Sequence, residues 1–167
     1  MWILVGMMGA GKSTVGRELA RIASREFADT DAMLTYRLGR PIPQLFAIYG
    51  ESAFRDHETA ILRGLEPSPT VLATGGGIVI REANWAEMRR LGTTIFLDVE
   101  AEVLKARLAK SKKPRPLLQH EDWEDRLATL LDARRELYLK ADQVVTVESE
   151  SMIDAAMKVY QALGGEV

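Results

Sequence analysis

Short apolar runs alternate with longer amphipathic stretches along the chain. The runs at 2–5, 70–73, 94–97 and 144–147 are apolar almost without interruption, as strands covered on both faces would be. A shorter piece, Phe27-Ala28-Asp29, reads as a strand edge. Between them, helical spacing marks 13–25, 31–38, 43–49, 52–65, 84–91, 101–109, 122–140 and 152–163. Gly39, Gly50 and Gly92 stop three of these helices, and Pro67-Ser68-Pro69 makes a turn. The segment 111–119 is basic, carries prolines and reads as irregular. No two strand runs are joined by a hairpin turn. Five strands separated by helices predict an α/β fold of three layers, with a five-stranded parallel sheet between helices. In such a fold, ligands gather at the carboxyl ends of the strands.

Composition narrows the classes. The chain has 167 residues, enough for one domain spanning 1–167 with a substantial core. Its hydrophobic share of 47% and charged share of 28% are those of an ordinary globular protein. A net charge of −2 argues against general nucleic-acid binding, which needs a concentrated basic surface. The absence of cysteine excludes disulfides and thiolate metal sites and is compatible with a cytoplasmic setting. No apolar run approaches the length of a membrane span. The apolar start is too short for a signal peptide and is followed at once by Gly6 to Lys12. Internal repeats and low-complexity tracts are absent from the sequence.

The first strand feeds G-M-M-G-A-G-K-S-T at 6–14, and a helix follows. This is the G-x-x-x-x-G-K-[ST] phosphate loop, through Gly6, Gly11, Lys12 and Ser13. Backbone N–H groups of the loop and of the helix start form a positive concavity for anions. Lys12 adds a point charge for the β- and γ-phosphates, and the Ser13 hydroxyl can hold Mg²⁺. The loop implies a nucleoside triphosphate as donor and leaves the acceptor open.

Five further features fall at strand ends, on helices or in the basic segment, each with a plainer alternative. Asp29-Thr30-Asp31 follows a strand: one carboxylate can reach the Mg²⁺ shell and the other an acceptor hydroxyl, or Asp31 is a helix N-cap. Arg55 and Glu58 are three apart on a helix, so the carboxylate can orient the guanidinium toward a planar anion, or the two form a surface ion pair. Thr74-Gly75-Gly76-Gly77 offers bare backbone to a ligand, or is a flexible turn. In the basic segment, Arg115 can close over phosphates or be solvated, and Arg134 on the long helix can clamp an anion or face water. The two histidines, His57 and His120, read as surface residues and the methionines as core filler.

The stretches G-M-M-G-A-G-K-S-T-V-G, F-A-D-T-D, G-E-S-A-F-R-D-H-E, T-G-G-G, R-P-L-L and R-R-E-L-Y, in this order, resemble the shikimate kinase family. These are P-loop kinases related in fold to the nucleoside monophosphate kinases. The resemblance runs from Ile3 to about Val147 and implies transfer of the γ-phosphate of ATP to the 3-hydroxyl of shikimate. It implies that Gly9, Ala10, Gly11, Lys12, Ser13 and Thr14 cradle ATP, and that Ser13 and Asp29 serve Mg²⁺. It makes Asp31 the residue at the acceptor hydroxyl, and Arg55 and Arg134 the clamps on the shikimate carboxylate. Glu58 then orients Arg55, and Gly75, Gly76 and Gly77 line the pocket. A helical region at about 31–60 would bind substrate, and a lid at about 110–120 would bring Arg115 to the transferring phosphate. Many family members flank adenine with an arginine just before the lid. The spacing is altered here, and Arg107 and Lys110 compete for that place, with Arg107 favoured. A monomer in the cytoplasm is the expected state. The rival expectations are a gluconate-type kinase and a catalytically silent relative, although Lys12, Asp31 and Arg115 all stand.

Overall fold

The apolar run that opens the chain becomes the central strand of a five-stranded parallel sheet in the computed structural model, which describes residues 1–111, 120–148 and 151–166. β1 (Trp2–Val5) lies between β3 (Thr70–Ala73) and β4 (Thr93–Val99), with β2 (Glu26–Asp29) outside β3 and β5 (Gln143–Val147) outside β4. Ile3 pairs with Leu72 on one side and Thr94 on the other. Among the described residues, seven helices follow in chain order: α1 (Lys12–Ile22), α2 (Thr30–Leu38), α3 (Ile42–Arg63), α4 (Glu82–Leu91), α5 (Ala101–Ala109), α6 (Trp123–Tyr138) and α7 (Met152–Ala162). A 3-10 turn, Ile78–Ile80, precedes α4.

Consecutive residues of the inner strands are buried, including Ile3, Leu4, Val5 and Ile95, Phe96, Leu97. Both faces of the sheet are therefore covered, as the uninterrupted apolar runs predict. The chain leaves β1 toward β2 on one side and leaves β3 toward β4 on the other. Right-handed crossovers then put α1 and α4 on opposite faces. The strand order reverses at β1, which opens a crevice at its carboxyl end.

All five strands were predicted, and the edges differ for physical reasons. β4 runs from Thr93 to Val99 rather than over 94–97, because its pairing with β5 continues to Val99 opposite Val147. The helices read at 43–49 and 52–65 form one element, α3, bent at Gly50, whose φ of 74° and ψ of 170° interrupt the helix. α1 starts at Lys12 and ends at Ile22, and α6 ends at Tyr138 rather than 140. The 3-10 turn was not foreseen, since three β-branched residues after glycines give no helical period.

A second, smaller core lies apart from the sheet. Leu34 of α2 packs with Leu45 and Phe54 from the two halves of α3, joined by Leu38, Ile42, Phe46 and Ile61. It fixes the bent helix on α2 and so determines where Arg55 and Glu58 point.

Candidate active site

The loop between β1 and α1 is shaped by glycine. Gly6, Gly9 and Gly11 have φ of 148°, 84° and 90°, which other residues rarely adopt. Gly11 caps α1 without a side-chain hydrogen bond, so the first amides of the helix face the loop. Ala10 N donates to Met7 O at 3.1 Å and closes the turn. Lys12 is buried, and its Nζ donates to Gly6 O at 2.7 Å and Met7 O at 2.9 Å. Thr14 is exposed one residue beyond Ser13. Arg107 of α5 donates to Ala10 O at 3.2 Å and to Glu148 O at 3.0 Å, whereas Lys110 is exposed at the end of that helix. Of the two candidates, Arg107 is the one on the loop.

Ser13 Oγ donates to Asp29 Oδ2 at 2.6 Å. The other oxygen of Asp29 accepts from Asp31 N at 2.9 Å and Ala32 N at 3.4 Å, so Asp29 is the N-cap of α2. The capping role considered for Asp31 belongs to Asp29, because the cap must precede the first helical residue, Thr30. Ser13, Asp29 and Asp31 line an open cleft of about 540 Å³. Hydroxyl and carboxylate oxygens are the hard donors Mg²⁺ takes, and one or two suffice when phosphates and water complete the shell. The Ser13–Asp29 pair fits that requirement.

The acceptor-side cluster is of another kind. Arg55 and Glu58 are buried, with Nη1 to Oε2 at 2.6 Å, so the surface-pair alternative fails. Exposed Glu51 stands 3.4 Å from Arg55 Nη2. Burial pushes the Glu58 carboxyl above the usual glutamate range; the Arg55 charge and hydrogen bond oppose this, Asp31 adds to it, and Arg134 opposes it. The Arg55 guanidinium also lies 5.6 Å and 5.5 Å from the ring centres of Phe46 and Phe54, which stack on each other.

The three glycines explain how these groups meet. A Cβ on Gly75 would come within 2.9 Å of both Asp31 Oδ1 and Glu58 Oε1. A Cβ on Gly77 would collide with the Arg55 guanidinium. A Cβ on Gly76 would sit 3.4 Å from Met8 N and 3.5 Å from Gly6 O, so this loop abuts the phosphate loop. Arg134, half-buried on α6, acts electrostatically on both Glu58 and Tyr138. Asp31, Arg55, Glu58, Arg134 and the glycine triplet thus converge beside Lys12 and Ser13. Arg115 and most of the expected lid lie outside the described residues.

Side chains that sequence reasoning missed hold the glycine loop. Thr30 Oγ1 accepts from Gly75 N at 3.1 Å, and Tyr138 Oη donates to Gly76 O at 2.6 Å. Asn84 Nδ2 donates to Ile78 O at 2.8 Å, and Trp85 Nε1 to Val79 O at 3.0 Å. Buried Thr59 places its hydroxyl 2.8 Å from Asn84 Oδ1 and 3.0 Å from Arg55 O, tying α3 to α4. Only Tyr138 had a visible signal: it is four residues after Arg134 on one helix, inside the R-R-E-L-Y stretch. Its neighbour Arg135 is engaged elsewhere, in a two-pronged pair with Asp98 at 2.6 Å and 2.7 Å. His120 is exposed, and His57 is half-buried with its ring edge-on to Tyr49.

Comparison with known proteins agrees with this geometry. Residues 8–163 match the sequence profile of the shikimate kinase family. The chain is 44% identical over 163 residues to a shikimate kinase of Synechococcus sp. (strain RCC307), covering 97% of this chain and 83% of that protein. It is 45% identical over 148 residues to one from Thermosynechococcus vestitus, covering 88% and 80%. Its structure resembles a shikimate kinase from Acinetobacter baumannii in complex with shikimate, with a TM-score of 0.91, 38% identity and coverage of 97% and 91%. A gluconokinase from Sinorhizobium meliloti superposes with a TM-score of 0.63 at 17% identity over 98% of this chain and 90% of that one, a likeness of fold alone.

Proposed function

This chain belongs to the shikimate kinase family, whose members use ATP, and from that premise we propose that it transfers the γ-phosphate of ATP to the 3-hydroxyl of shikimate. The observation that carries the reading is the contact between the two loops. Gly76, flanked by residues that meet Asp31, Glu58 and Arg55, packs on Gly6 and Met8 of the phosphate loop. A small acceptor held on the first group presents its hydroxyl to a triphosphate held on the second.

The roles follow from chemistry. Arg55 and Arg134 grip the acceptor carboxylate, with Glu58 fixing the Arg55 guanidinium at 2.6 Å. Asp31, beside Gly75, accepts the proton of the acceptor hydroxyl as its oxygen bonds to the γ-phosphorus. The bond from the γ-phosphorus to the β–γ bridging oxygen breaks, and ADP leaves. The amides of 9–14 and Lys12 neutralise charge on the phosphates, and Arg107 flanks the nucleotide at Ala10. Arg115 is assigned to the same charge from the lid. Ser13 and Asp29 would hold Mg²⁺, which supplies charge neutralisation between the β- and γ-phosphates when bound. The protein acts as one kinase domain and as a monomer in the cytoplasm. Among the described residues, no helix is long and apolar enough to cross a membrane.

The test is ADP release measured with shikimate, with gluconate and without acceptor. Shikimate-dependent ADP is expected. ADP formed only with gluconate would move the chain to the sugar-acid kinases, and none with either acceptor would leave a nucleotide-binding relative.

A further inference from the structure

Tyr138 is fully buried at the end of α6, with its ring stacked on Phe96 at 5.0 Å between centres. Its hydroxyl donates to Gly76 O at 2.6 Å and lies 3.7 Å from Met7 Sδ. The phenol therefore touches the glycine loop on the acceptor side and the phosphate loop on the donor side. Arg134 stands one helical turn earlier on the same face of α6, and its charge acts on the phenol. Because a phenol has one hydrogen, the Gly76 carbonyl takes it and the oxygen is left to receive the guanidinium. Arg134 is half-buried, and no carboxylate among the described residues forms an ion pair with it.

We propose that Tyr138 is a positioning residue: anchored on Gly76, its hydroxyl sets where Arg134 holds the acceptor carboxylate relative to the phosphate loop. The inference rests on the assignment of Arg134 as an acceptor clamp. A guanidinium at the half-buried Arg134 position has several rotamers, and an anchored oxygen one turn along the helix favours those that reach it. Burial holds the phenol above the usual tyrosine range, so it stays neutral and keeps its proton on Gly76 O across the working pH range. Tyr138 touches neither substrate; it acts through Arg134 and Gly76.

The experiment compares the full chain with Tyr138→Phe, Arg134→Ala and the double variant, by coupled ADP release and thermal unfolding. Phenylalanine keeps the stack on Phe96 and removes only the hydroxyl. Tyr138→Phe is expected to raise KM for shikimate about tenfold and to leave KM for ATP within about twofold. In the Arg134→Ala background, the same change is expected to alter KM for shikimate by less than about twofold, since two residues acting as one unit are not additive. Equal effects in both backgrounds, a parallel rise in both KM values, or a Tyr138→Phe chain that does not fold while Arg134→Ala does, would each reduce Tyr138 to a structural residue. An unchanged KM for shikimate in Arg134→Ala alone would remove the clamp itself and, with it, the role given to Tyr138.

Discussion

The phosphate loop and the proposed acceptor pocket lie against each other and are built on opposite principles. The donor loop is backbone: three glycines at positive φ, a helix start without a side-chain cap, and a lysine folded onto carbonyls of its own loop. Its parts are contiguous, and removing the Lys12 side chain leaves neutral carbonyls rather than a buried charge behind. The acceptor pocket is side chain: Asp31 from α2, Arg55 and Glu58 from α3, and Arg134 from α6, meeting on a glycine loop after β3. Two of its charges, Arg55 and Glu58, are taken out of water. The two regions should therefore fail differently when mutated, one through rate and the other through stability as well.

The sharpest way to break that contrast is Glu58→Ala. It leaves Arg55, whose Nε already lacks a partner, buried beside two aromatic rings, with exposed Glu51 at 3.4 Å as the remaining ion-pair partner among the described residues. Breaking a buried pair from one side costs about 3–5 kcal/mol, and denaturant unfolding should register a loss of that order. A loss under about 1 kcal/mol would mean that the pair behaves like an exposed one and that the pocket is softer than its burial implies.

Lys12→Met examines the other region. The donor side should lose about 10²–10³-fold in kcat with the fold intact, because the lysine is one charge among many amides directed at the same phosphates. Steady-state kinetics beside a thermal melt check both halves of the statement. A melt lowered as far as that of Glu58→Ala would erase the distinction between the regions.

The same contrast governs what could be read from the sequence. The donor loop is local, so nine consecutive residues carry it, and the alternation of apolar runs with helical periods carries the parallel sheet. Asp31, Arg55, Glu58 and Arg134 were found as residue types on suitable elements, but whether Arg55 and Glu58 were buried depended on the small core of Leu34, Leu45 and Phe54, which is formed across a bend. Thr30, Asn84 and Thr59 gave no signal, because a threonine or asparagine that holds a distant group looks like any other polar helix residue. Likewise Asp29 and Asp31 could not be ordered as cap and acceptor until the first residue of α2 was known.

The smallest effect asks how much of the acceptor pocket's cost remains after pairing, and it is read from pH. Burial raises the Glu58 carboxyl above its ordinary 4.5, against the pull of Arg55. Between 4.5 and the raised value, the folded protein then binds more protons than the unfolded chain. The difference in protons bound, unfolded minus folded, is negative there, so unfolding free energy falls as pH rises through that window and levels above it. Glu58→Gln keeps the shape and does not titrate. The stability of the wild-type chain relative to Glu58→Gln should accordingly decline as pH rises across that window and stay constant at neutral pH. A difference that grows with pH instead would show that Arg55 more than offsets the desolvation. In that case the carboxylate is held below its unfolded value, and the pocket's buried charge, like the donor loop's amides, carries no net penalty for the fold.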